Sequence, residues 1–96
     1  MKIYVQGDVL LKQIEKPKDV KILKTDLLHK GANHHHKLRG KFKIAVNKNG
    51  ERFIHSKGCE LYHEEHRSIQ VSEGFYKMDI VVEYDHFLNE SRQVID

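Results

Sequence analysis

Histidine is the residue type in excess: the 96-residue chain carries eight, and five fall in two short motifs, His34-His35-His36 and His63-Glu64-Glu65-His66. Neutral imidazole suits divalent transition metals such as Zn, Fe, Ni, Cu or Mn, and no cluster of thiolates competes for the choice. His34 and His36 are two residues apart. On a strand they share a face about 6.6–7 Å apart, close enough to converge on one ion held about 2.0–2.1 Å from each nitrogen. His35 then points to the opposite face. His63 and His66 are three apart, so they share a face only on a helical turn, or where the chain bends or bulges between them.

A centre of His34, His36, His63 and His66 with room for water is a Lewis acid that lowers the pKa of bound water. Glu64, Glu65 and Glu83 are the carboxylates that could add a ligand, with Glu65 and Glu83 the candidates for general acid–base work. A histidine run also fits an exposed polar loop that binds metal adventitiously, and that reading stands beside the metal centre. The spacing in HEEH is not that of HExxH, whose histidines stand four apart on a helix, so a zincin-type protease is excluded. There is no nucleophile elbow, Walker loop or dinucleotide fingerprint. Cys59, the single cysteine, reads as a small core thiol, His55 as a satisfied histidine at the core edge, and His29 and His86 as surface residues.

The elements that must position these residues are strands. Lys2–Val5 alternates, Gly7-Asp8 is a turn, and Val9–Ile14 resumes an apolar segment ended by Lys16-Pro17. Residues 18–24 fit a short helix or a strand. Phe42, Ile44 and Val46 alternate with polar residues up to Asn49-Gly50, a pair suited to a two-residue type I′ turn. That turn would place Lys48 opposite Glu51, Val46 opposite Phe53 and Ile44 opposite His55, with His55 on the apolar side. Ile69–Val71, a Ser72-Glu73-Gly74 turn and Tyr76–Tyr84 add two more strands, and the tail from Leu88 is a short helix or strand. Six to eight short strands at roughly ten-residue spacing predict a single all-β, mainly antiparallel domain over residues 1–96: a small barrel or sandwich, cupin-like in outline, with at most one short helix.

A net charge of +3 spread among interleaved acids is not the clustered basic stripe of a nucleic-acid binder, and Lys37–Lys43 reads as a solvated strand face. One cysteine fits a reducing compartment. Met1–Asp8 lacks the apolar run of a secretory leader and no stretch is apolar enough to span a membrane, so the cytoplasm is the expected location. A homodimer would cover sheet edges.

Two resemblances follow from these motifs. His34-His35-His36 with a later His63 or His66 resembles the cupins, β-barrels that hold Fe, Mn, Ni or Zn on an H-x-H pair, a later histidine and a glutamate. Here the glutamate after H-x-H and the Pro-x-Gly of the second cupin motif are absent. The chain also resembles a group of small uncharacterised bacterial and phage-type proteins. The resemblance rests on Gly7-Asp8-Val9-Leu10, Asn33-His34-His35-His36, His63 through Ile69, Val71, Gly74 and Tyr76, Glu83-Tyr84, and Arg92-Gln93-Val94-Ile95-Asp96. It implies a common site and no particular reaction. Two functions from different classes therefore fit: a metal-binding domain that is a small metal-dependent enzyme, or a non-catalytic module that binds a protein or nucleic acid with a structural or surface histidine cluster.

Overall fold

A computed structural model of the protein describes residues 2–30 and 35–80. Eight strands lie among them: β1 (Ile3–Gln6), β2 (Val9–Ile14), β3 (Lys21–Leu23), β4 (Leu27–Lys30), β5 (His35–Val46), β6 (Arg52–Tyr62), β7 (Ile69–Val71) and β8 (Gly74–Ile80). The described residues contain no helix, and the all-β antiparallel class read from the sequence holds. Within residues 18–24, Lys21–Leu23 form strand β3. The predicted C-terminal element, with Glu83, His86 and the Arg92–Asp96 motif, lies outside the described residues, as does His34.

The pairing order is β1-β2-β8-β6-β5-β3, with β4 on β5 and β7 on β6. The sheet does not close into a barrel. Side chains rather than a backbone ladder tie β1 to the β7–β8 turn: Lys2 Nζ donates to Ser72 Oγ (2.8 Å), and the Ser72 amide donates to the Tyr4 hydroxyl (3.3 Å).

The long β5–β6 hairpin is the spine, and its register corrects the expected one. Val46 pairs with Arg52, Ala45 with Phe53, Ile44 with Ile54 and Lys43 with His55. The cause is the turn. Gly50 N–H donates to Asn47 O, Asn47 N–H to Glu51 O, and Gly50 takes the left-handed position at φ +83°. This is a three-residue loop closed by a glycine bulge, not the two-residue type I′ loop. The Asn47 side chain stabilises it by accepting from the Asn49 and Glu51 amides. A one-residue slip moves every side chain to the other face. His55 therefore lies beside Lys43, Ala45 and Phe53, away from Ile44.

A second irregularity sets the far half of the hairpin. Gly40 pairs with Cys59 but Phe42 pairs with Ser56, so β6 holds one extra residue there. On β5 the most deeply buried residues, His36, Leu38 and Ile44, keep one parity; on β6 they switch from Ile54 and Ser56 to Cys59 and Leu61. The bulge is thus what turns the chain leaving β6 so that His63 also points inward. Close approach of the strands requires glycine at position 40: a Cβ there would lie 2.9 Å from the Gly58 carbonyl oxygen, at a φ of +107°. The core of Val9, Leu11, Leu28, Leu38, Ile44, Ile54, Cys59, Leu61, Val71 and Tyr76 is enclosed between the two halves of this bent sheet.

Candidate functional site

At one end of that core the apolar packing gives way to a buried polar corner. His36 is 2% exposed and His63 7%. The β1–β2 hairpin supplies the partners. Gln6 pairs with Val9 across the two-residue loop Gly7-Asp8, and Gly7 at φ +59° with no positive φ at Asp8 is the type II′ pattern. Glycine is needed twice over, because a Cβ on residue 7 would lie 2.7 Å from His66 Nε2. The loop delivers Gln6 and Asp8 to the two nitrogens of one imidazole: His36 Nδ1 lies 2.9 Å from Gln6 Oε1, and His36 Nε2 lies 3.1 Å from Asp8 Oδ1.

The direction of these hydrogen bonds is determined by Gln6. Its Nε2 donates to the carbonyls of Leu61 and Arg67, both at 2.9 Å, so Oε1 must face His36 and accept from Nδ1–H. Neutral His36 then presents its Nε2 lone pair to the Asp8 carboxylate. Burial pushes its pKa down to about 4, the charge of neighbouring His63 adds to the depression, and Asp8 pulls the other way. A proton or another cation between His36 Nε2 and Asp8 Oδ1, 3.1 Å apart, satisfies both atoms, and burial weakens the hold on the proton.

The other histidines gather around this pair. His29 is the direct cross-strand partner of His36 on β4; its Nε2 lies 3.5 Å from Asp8 Oδ2, and the two rings are 5.9 Å apart. The chain bends at Glu64–His66, as the three-residue spacing demanded, and the His63 and His66 rings meet at 4.5 Å. The His36 ring lies 4.4 Å from His63 and 6.3 Å from His66, stacked on the latter at 12°. His63 Nδ1 accepts the Glu65 amide at 3.0 Å, which leaves Nε2 as the protonated nitrogen of the neutral ring. Glu64 and Glu65 have exposed side chains.

Of the residues singled out from the sequence, the fold brings His36, His63 and His66 together, while His34 and Glu83 lie outside the described residues. It adds three that sequence reading passed over. His29, taken as a surface residue, is drawn in because it faces His36 across a ladder. Asp8 was read only as half of a turn, and Gln6, between the strand and that turn, was given no role. A polar Gln closing an otherwise apolar alternation just before Gly-Asp was the available signal. Cys59 is buried as expected, and burial raises its thiol pKa. Among the described residues no three His, Cys, Asp or Glu side chains stand in a ready-made coordination shell, and no helix is long and apolar enough to cross a membrane.

Neither a curated protein nor a solved structure matches the chain. A family model does, that of a domain of unknown function (DUF8820), over residues 5–80. The match contains Gln6, Asp8, His29, His36, His63 and His66, so the polar corner lies within the shared domain. The chain belongs to this DUF8820 family of domains of unknown function.

Proposed function

We propose that this domain binds a divalent transition metal at the Asp8–His36 corner. The observation that carries the reading is the polarity of the His36 hydrogen bonds: Gln6 holds the proton on Nδ1 and leaves Nε2 aimed at a carboxylate. This is how a metal-ligating histidine is held, with the outer nitrogen donating to a fixed acceptor and the inner one free to coordinate. Distances support it. Two ligand atoms about 2.0–2.1 Å from one tetrahedral ion stand roughly 3.3–3.4 Å apart, and Asp8 lies 3.1 Å from His36 Nε2 and 3.5 Å from His29 Nε2. His36, Asp8 and His29 are the first ligands in this reading, with His66 the next nearest ring. His63, its ring 4.4 Å from that of His36, would be a further ligand after a ring rotation, and His34, outside the described residues, stays a candidate ligand from its motif alone. Imidazole with one carboxylate suits Zn, Fe, Ni or Mn. An open position would give a metal-bound water and hydrolytic chemistry, with Glu65 or Glu83 as acid–base partner; a closed one would make the ion structural.

The test is metal content of untagged, dialysed protein after exposure to Zn, Ni, Mn or Fe(II), beside Asp8→Asn and His36→Gln. About one ion per chain in the wild type, lost in both variants while the circular dichroism spectrum is kept, is the expected result. Wild-type protein that retains no stoichiometric metal, or variants that retain it fully, would overturn the reading.

A further inference from the structure

A second site lies on the opposite face of the sheet, where the corrected hairpin register puts His55, Lys43, Ala45 and Phe53. A cavity of about 290 Å³ opens there, lined by these four together with Lys16 and Phe75. Its volume is at the small end of the ~300–1,000 Å³ typical of ligand sites. His55 and Phe75 are stacked on one another with ring centroids 4.2 Å apart and planes 16° from parallel, so the pair offers one outer ring face as a flat aromatic wall. The remaining lining is apolar, and none of it is acidic. The only formal charges at the cavity are the two lysines, neither of which forms an ion pair among the described residues; Lys77, nearby on the same face, is taken up by Glu51 and Asp79. Ile22, at the rim, is 53% exposed. A concave apolar patch on an outer sheet face, with cations and no anions in its lining, is a feature that folding alone does not call for.

We propose that this cavity binds a small planar organic anion. Its flat apolar body would lie along the His55–Phe75 wall over Ala45 and Phe53, with its carboxylate between Lys16 and Lys43. The wall supplies offset stacking and burial, and the lysines act as point charges that select the anion over its neutral isostere. The site is independent of the metal-binding reading, since it shares no residue with the histidine corner.

The experiment is a titration of the full chain with 2-naphthoate, followed by methyl and aromatic NMR, with neutral 2-naphthamide in parallel. Saturable shifts at Ala45, Phe53 and Phe75 are expected. Roughly tenfold weaker binding of the amide should match roughly tenfold weaker binding of naphthoate by Lys43→Met. Ala45→Leu, which fills the cavity, should abolish the shifts; Lys43→Met, at an exposed position, keeps the test valid if that variant does not fold. No saturable shift at millimolar naphthoate would overturn the proposal, and so would equal affinity for the amide. A concentration-dependent mass with no ligand shifts would show that a second copy of the chain covers the face, and would overturn it as well.

Discussion

His36 and Ile44 sit on the same strand, β5, with the same parity, and both are buried to within 2% of complete enclosure. One is among aliphatic neighbours in the centre of the core, and the other is at its end among hydrogen-bond partners. Ile44 is held by removal of apolar surface from water, which is non-directional and tolerant of small shifts. His36 is held by directional bonds to Gln6 and Asp8, and its enclosure is unfavourable unless each is made. The same strand thus carries a position that specifies packing and a position that specifies chemistry. They differ in what the neighbouring strands present: Ile54 opposite Ile44, and His29 opposite His36.

That contrast can be broken at three points. Ile44→Ala should have the largest effect, about 3–4 kcal/mol of lost stability from the cavity left behind, read by urea unfolding and unchanged by chelator or added metal. A loss that metal restores would mean that the two regions are not separate.

The second point is pH. In chelated protein His36 titrates near 4 when folded, against an ordinary value near 6.5. Between these values the unfolded chain takes up the proton and the folded one does not. Stability should therefore be intact above about 6.5, fall as pH drops toward 4, and lose up to about 3 kcal/mol from this group. His36→Gln should flatten that dependence, and Ile44→Val should leave it as it is. A wild-type profile that is level from pH 7 to 4.5 would show that Asp8, rather than burial, dominates the proton on His36.

The smallest effect is expected for Gln6→Ala, about 2 kcal/mol, because the Leu61 and Arg67 carbonyls and His36 Nδ1–H lose their partner together. Unlike the core variant, it should also weaken metal binding, since nothing then fixes which His36 nitrogen carries the proton. Unchanged metal affinity in a folded Gln6→Ala would remove Gln6 from the positioning role.

The strands that form the frame were legible because their signals are local. Val9–Ile14 and Ile69–Val71 were bounded in sequence as they are in the fold, since alternation and the flanking turn residues lie within a few positions of each other. The hairpin was legible as a hairpin but not in register: Asn-Gly suits more than one loop, and Asn47 hydrogen bonds to amides two and four residues on favour the longer one. Within the histidine corner, His36 with His63 and His66 could be picked out by residue type. Asp8, Gln6 and His29 could not, because their roles come from the β1–β2 loop and the β4–β5 ladder, partners distant along the chain.

The sequence by itself determined that this is an antiparallel all-β domain, that histidine is the residue type in excess, and that His63 and His66 need a bend between them. Each of these rests on composition or on spacing over a few residues. Tertiary structure alone decided that β6 carries the extra residue that turns its far end inward, that Gln6 fixes the proton on His36, and that Asp8 rather than a motif glutamate faces its other nitrogen. Those outcomes depend on register between strands, where a shift of one residue exchanges the two faces of the sheet, and only the packed chain sets that register.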